Sequence, residues 1–346
     1  MRVLIRGAGV AGLTLAHKLA SKGVDVEVAE KAARPGGGAS WFAGGMLAPW
    51  CESENAPDAV MQLGRPAADW WETALPGHVV RQGTLVVAPP RDAADLGRFA
   101  SRTSGFDWLR AEEIDALEPS LAGRFGKALF FRDEAHLDPR RALSALHEKL
   151  IGIGVCFHFD SQAYPADGFD RVIDCTGARA IGDAPRLRGV RGEMLILETP
   201  DVQLSRPVRL LHPRIPLYIV PRENHRFMVG ATMIESEDAG PISARSLMEL
   251  LNAAYAVHPA FGEARVVETG AGVRPAYPDN LPAFFDDGGT LRVNGFYRHG
   301  FLLAPAIAAR AADHVLSSLS GKSEGRPMFT PPVPGYSDSP RIGASR

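Results

Sequence analysis

Residues 1–30 constrain this chain more than any other stretch. MRVLIR is a short apolar strand, GAGVAG follows at once with glycines at Gly7, Gly9 and Gly12, LTLAHKLASKG reads as a helix, and VDVEVAE is a second strand ending in Glu30. This order predicts a βαβ nucleotide-binding unit. Gly7 permits the tight turn, Gly9 lets main chain approach a pyrophosphate, and Gly12 lets the helix pack close to the sheet. The helix start at Val10 and Ala11 carries unpaired N–H groups and a partial positive charge, and it faces the phosphates. Glu30 stands at about the twenty-residue spacing of an acid that accepts hydrogen bonds from an adenosine ribose, and its charge argues against a phosphorylated ribose.

A length of 346 residues suggests two domains, or one large and one inserted, with ample chain to bury a core. A net charge of -2 gives no electrostatic case for a nucleic-acid partner. Cys51, Cys156 and Cys175 form no CxxC pair, so neither a disulfide framework nor a metal knuckle is indicated, and no histidine pair has metal-ligand spacing. No metal is expected. Met1 and Arg2 run straight into the first strand with no signal peptide, and no apolar run reaches the roughly 18 residues that span a bilayer. A cytoplasmic protein without membrane insertion is the expectation.

After Glu30 and Lys31 comes a glycine-crowded loop through Ala39, Ser40, Gly44, Gly45 and Met46, where small residues let a large flat ligand lie against main chain. Its Trp41, Phe42, Met46, Leu47 and Trp50 are an odd choice for solvent. Residues from about Ala56 to Ala74 read as one helix with Trp70 and Trp71 in the core. Asp138 is placed to cap a helix with Pro139 in its first turn, ending at Gly152 and Gly154. The strand Val172–Asp174 leads into Thr176 and Gly177. Closely spaced β-rich runs from GVRGEMLILE to RFMVGATMIE indicate an antiparallel sheet, with Arg222 and Arg226 as hairpin surface charges. ISARSLMELLNAAYAV is an amphipathic helix. The last unit is a strand, a loop and a helix beginning near Leu302, with Pro305 in its first turn.

The division expected is a discontinuous cofactor-binding domain at 1–80, 137–188 and 264–329, a substrate domain at 81–136 and 189–263, and a disordered tail at 330–346. One dinucleotide fingerprint, a split nucleotide domain and an inserted antiparallel sheet suit a flavin enzyme. One FAD would be held at its adenosine end by the first unit and at its ring by the last, whose helix aims its positive end at the reducible ring.

GAGVAG with Glu30, SWFAGGMLAPWCE, VIDCTGA, YIVPR followed by RFMVGATMIE, GVRP and NGFYRHGFLLAPAIA together resemble the D-amino-acid oxidase family of flavoproteins, on the side of its glycine oxidases. The likeness runs from Met1 to about Leu319. It implies an α/β fold, α+β overall, with a Rossmann-like FAD-binding domain of the D-amino-acid oxidase and glutathione-reductase type and an inserted antiparallel-sheet substrate domain. It also implies that Arg274 binds a substrate carboxylate, that the Tyr218 hydroxyl meets the same carboxylate, that Arg298 is a second arginine near substrate and flavin, and that Met233 is an apolar wall. By the same resemblance Met46 and Ala48 match the loop beside the ring, and Arg298, His299, Gly300, Phe301 and Leu302 are expected in the cofactor site. Pro216 stands where the best-known glycine oxidase type has a histidine, and His299 where it has an asparagine.

The activity implied is oxidative deamination of glycine and other small amino acids or amines. Hydride passes to FAD, the product is an imine that serves thiamin thiazole formation, and dioxygen is reduced to hydrogen peroxide. A homo-oligomer is expected, and Cys51 is expected to be a buried thiol, with no covalent link to flavin. The alternatives are an FAD-dependent D-amino-acid or sarcosine-type dehydrogenase with another acceptor, and a non-catalytic nucleotide-binding protein.

Overall fold

The computed structural model describes residues 1–211 and 217–319; the tail at 330–346 and Pro216 lie outside them. Among the described residues the main sheets have six and nine strands. The smaller grows outward from Arg2–Arg6. Asp25–Ala29 pairs parallel on one side, with Cys156–His158 beyond it, and Arg171–Asp174 pairs parallel on the other, followed by Thr290–Asn294 and the antiparallel Ala283–Asp286. Val3, Leu4 and Ile5 are buried without alternation, as a central parallel strand covered on both faces requires. The fold is mixed α/β with a parallel nucleotide-type sheet, as the sequence predicts.

The larger sheet holds Thr84–Val87, Asp107–Arg110, Lys127–Phe131 and the antiparallel run from Arg188–Glu198 to Ile234–Glu235. Arg265–Ala276, which the sequence division groups with the nucleotide-binding segments, pairs along its length with Arg188–Glu198 in this larger sheet. That strand pair lies wholly in the larger sheet, and the cavity described below is lined by residues from segments of both sheets. A two-stranded clasp, Met46–Leu47 against Ala135–His136, ties the glycine-rich loop to the chain that precedes the next helix.

Helix boundaries follow local chemistry. Asp138 caps Pro139–Gly152 by accepting from the N–H groups of Arg140 at 2.9 Å and Arg141 at 3.3 Å, and Ser243 caps Ala244–Val257. The single helix expected over 56–74 is instead two, Asp58–Gly64 and Ala67–Ala74. Pro66 lacks the N–H that would continue the ladder. The break lets Gly64 press against Leu302, where a Cβ would lie 2.7 Å from the leucine side chain.

The last helix, Gly300–Leu319, begins two residues earlier than expected, which moves Pro305 out of the first turn and into the second. A proline there cannot donate to the carbonyl of Phe301. That carbonyl accepts instead from the indole N–H of Trp71 at 2.8 Å, and Trp71 is fully buried. One contact satisfies two buried polar groups. Trp71→Phe should therefore cost about 1–3 kcal/mol, the usual penalty for a stranded buried acceptor. Chemical denaturation checks this against Trp71→Phe/Pro305→Ala, in which the alanine N–H can close the helical bond and should recover part of the loss.

Candidate active site

A cavity of about 730 Å³ runs from Glu30 and Lys31 at one end to Tyr218 and Arg274 at the other. At the first end the turn geometry matches the glycine reading. Gly7 has φ +103° and lies so close to the Cys175 carbonyl that a Cβ would approach its oxygen to 2.5 Å. A Cβ on Gly12 would come within 1.9 Å of the Gly7 oxygen. Gly12 packs beneath the cavity floor, whereas Gly7, Gly9, Val10 and Ala11 line it. The Val10 N–H points at the Ser40 hydroxyl at 3.1 Å. Glu30 accepts from the N–H groups of Ala8 at 2.7 Å and Ala32 at 2.9 Å, which fixes its carboxylate at the cavity edge with further lone pairs to offer.

Midway, Ala39, Ser40, Gly44, Gly45 and Met46 form one wall; Thr176 and Gly177 face the cavity from the end of a parallel strand. His299, Gly300, Phe301 and Leu302 bring the start of the last helix to the same space. Every sequence-predicted cofactor and substrate residue except Gly12 and Ala48 lines this one cavity; Ala48, expected beside the ring, is instead buried in the core next to it. Its small-residue walls, helix N-termini and fixed carboxylate fit a dinucleotide with a flat ring system.

The glycine-rich wall is held from behind. Arg222, read from the sequence as a surface charge, has a buried side chain. Its Nη2 donates to the Gly44 carbonyl at 2.8 Å and its Nη1 to Leu137 at 3.4 Å. Burial brings its pKa down to about 10, so it remains cationic at neutral pH. Arg226, by contrast, is an exposed hairpin charge paired with Glu198. Gly45 has φ +74° and sits where a Cβ would meet the Leu137 oxygen at 2.1 Å, so the loop is threaded tightly between two supports.

At the other end, Arg274 projects from Arg265–Ala276, and its guanidinium lies over Gly192 on the paired strand. A Cβ on Gly192 would meet Arg274 Nη2 at 2.1 Å. Nη1 donates to the Thr232 carbonyl at 3.0 Å. Burial, with Arg298 nearby, lowers its pKa to about 10, and it stays charged at neutral pH. Among the described residues no carboxylate pairs with it.

Arg298 and Tyr218 are placed differently. Arg298 forms an ion pair with Glu52, and its Nη1 lies 3.5 Å from the Met233 sulfur. The Tyr218 hydroxyl donates to Glu52 at 2.6 Å and accepts from Arg209 at 3.0 Å. Its single proton is therefore spent on Glu52. Burial would raise the Glu52 carboxyl, but Arg298, His299, Arg209 and the Tyr218 hydrogen bond together pull it down to about 2. His299, buried and 3.6 Å from Glu52, is driven to about 4 by burial and is neutral at physiological pH.

Sequence reasoning missed Glu52 and Arg209 as members of this site. Arg209 sits in the apolar run VRLL, and a fully buried arginine there demands partners, which was the available signal. It reaches Glu54 at 2.5 Å and the Cys51 carbonyl at 2.9 Å. The Cys51 thiol is buried, its pKa pushed up to about 12 by burial. It is chemically quiet, in keeping with the expected inert thiol.

Behind this network Glu134 accepts from the Cys51 N–H at 2.7 Å, and burial raises its pKa from 4.5 to about 8. The folded chain thus holds a proton that the unfolded chain releases above about pH 4.5. The stabilisation from keeping it neutral is complete below that pH and is lost as pH rises towards about 8. Glu134→Gln keeps the carbonyl acceptor and should remove up to about 1.4 kcal/mol per pH unit of slope from stability across this interval. Thermal midpoints of both proteins over that range test it.

Among the described residues no cluster of three or more His, Cys, Asp or Glu could hold a metal ion, and no helix is long and apolar enough to cross a membrane. A family model described as FAD dependent oxidoreductase matches residues 2–314. A Rhizobium etli protein named as the thiamine biosynthesis oxidoreductase ThiO is 64% identical over 332 residues, covering 94% of this chain and 99% of that protein. The crystal structure of glycine oxidase from Geobacillus kaustophilus aligns with a TM-score of 0.76 at 26% identity, covering 91% of this chain and 95% of its own. Iminodiacetate oxidase from a Chelativorans species aligns with a TM-score of 0.77 at 25% identity, covering 94% and 97%.

Proposed function

The chain belongs to the DAO family of FAD-dependent oxidoreductases, and from that premise we propose that it oxidatively deaminates glycine and other small amino acids or amines in thiamin thiazole formation, with dioxygen as electron acceptor. The observation that carries this reading is Arg274, a cation lining the cavity that no carboxylate neutralises among the described residues. The 64% identity to the Rhizobium protein supports the biosynthetic setting, and the likeness to glycine oxidase supports the substrate. Free cysteines suit a reducing cytoplasm.

The Gly7–Gly12 turn and the start of the first helix would hold the pyrophosphate, Glu30 the ribose, and Gly44, Gly45, Met46, Thr176, Gly177 and residues 299–302 the ring. When bound, FAD supplies a two-electron acceptor for the substrate's α-hydride. The planar fork of Arg274 grips the substrate carboxylate, and Gly192 leaves the space in which that fork lies flat. Met233 closes the wall beside Arg298 and limits the substrate side chain. The substrate amine must be neutral so that its lone pair forms the C=N bond as hydride leaves. No side-chain base is needed for that step, and the site acts through orientation and exclusion of water. The imine then hydrolyses to glyoxylate and ammonia or is consumed in thiazole formation. The two electrons and two protons reduce dioxygen to hydrogen peroxide.

Tyr218 frames this pocket through Glu52, and its hydroxyl reaches a substrate carboxylate only by giving up that bond. Arg274 is therefore the principal anchor. Arg274→Ala should raise KM for glycine by roughly 30- to 1,000-fold, as a buried charge pair worth about 2–4 kcal/mol is lost. An unchanged KM would rule out the assignment. Gly192→Ala should give a smaller loss of the same kind by displacing the guanidinium. Oxygen uptake with peroxide formation, compared with reduction of an artificial dye, tests the acceptor.

A further inference from the structure

We propose that Glu52 sets substrate class by masking the positive charge of Arg298, so that among the described residues the site presents one free cation and accepts an amino monocarboxylate in preference to a dicarboxylate. The inference rests on the reading of Arg274 as the carboxylate anchor. It starts from the charges around Arg274. Arg274 and Arg298 both line the cavity, and so does Glu52, which is buried and bonded to Arg298. Arg209 stands behind Tyr218 and is matched by Glu54. His299 faces the same carboxylate as a neutral imidazole.

Counted over these groups, Glu52 cancels Arg298 and Glu54 cancels Arg209, which leaves the charge of Arg274. A ligand with one carboxylate and a neutral amine meets that charge. A second carboxylate would have to displace Glu52 from Arg298 and would face it as a like charge, and because Glu52 and Arg298 are themselves largely buried that repulsion is weakly screened. Position matters as well as sign. Glu52 is fixed on both oxygens, by Tyr218 on one and Arg298 on the other, so it cannot swing away without stranding both partners. Glu52 is therefore a specificity residue that acts through Arg298.

The test measures dissociation constants of the FAD-loaded enzyme for glycolate, a monocarboxylate, and malonate, a dicarboxylate, from the change each causes in the visible absorbance of bound flavin. Wild type should favour glycolate. Glu52→Gln retains the shape and the oxygen that accepts from Tyr218 but frees the Arg298 charge, and it should shift the malonate-to-glycolate preference toward malonate by about tenfold or more. Adding Arg298→Gln to that variant should abolish the shift. A preference in Glu52→Gln within about twofold of wild type, or a shift that survives loss of Arg298, overturns the proposal. If Glu52→Gln does not retain flavin, Arg298→Gln alone carries the test. It exposes the Glu52 charge beside Arg274 and should weaken glycolate by about tenfold, and unchanged affinity is contradictory. Wild type that binds neither glycine nor glycolate overturns the Arg274 reading, and this inference with it.

Discussion

The first helix can lie where it does only because Gly12 has no side chain: a Cβ there would sit 1.9 Å from the Gly7 oxygen. That contact fixes the helix start against the end of the first strand. The last helix packs on the first, and Trp71 secures the last through the carbonyl that Pro305 leaves free. Two helix N-termini are thereby brought to one cavity from opposite ends of the sequence. Their positive ends would meet the two parts of a dinucleotide where charge is greatest, the pyrophosphate and the reducible ring.

The larger sheet contributes the other half by a different principle. Arg188–Glu198 and Arg265–Ala276 pair along their length, and glycines in that pair open the space occupied by the Arg274 guanidinium and the Phe42 ring. Around Arg274 the chain gathers several charged groups in a buried place, and it balances them in pairs. Glu52 with Arg298 and Glu54 with Arg209 illustrate why a buried acid is tolerated beside a ligand cavity: each carboxylate has donors on hand, and removing either partner would strand a charge. Glu134, which lacks a cationic partner among the described residues, solves the same problem by holding a proton.

Much of this was legible in the sequence because it depends on local geometry. The Gly7 turn, the Asp138 cap and the helix after residue 299 announce themselves within a few residues, and the glycine-dense loop signals close approach of a ligand. What was not legible depends on partners far along the chain. Arg222 reads as a hairpin charge until Gly44 and Leu137 are seen to close over it. Glu52 ends a short helix with no pattern of its own, and its place is set by Tyr218 and Arg298, which lie 166 and 246 positions away. Pro66 marks the break between Asp58–Gly64 and Ala67–Ala74, a local signal that the reading of 56–74 as one helix passes over. The sheet to which Arg265–Ala276 belongs is a question of long-range pairing that composition does not answer.

The most direct test is the visible spectrum of the purified protein, recorded before and after adding glycine under argon and again after admitting air. The account predicts a yellow protein whose flavin bands bleach with glycine, in the absence of any other reductant, and return with air as hydrogen peroxide appears. A flavin that stays oxidised in the presence of glycine would contradict the assignment of the Arg274 pocket to small amino acids, and a colourless protein that FAD does not reconstitute would contradict the cavity's role as a flavin site.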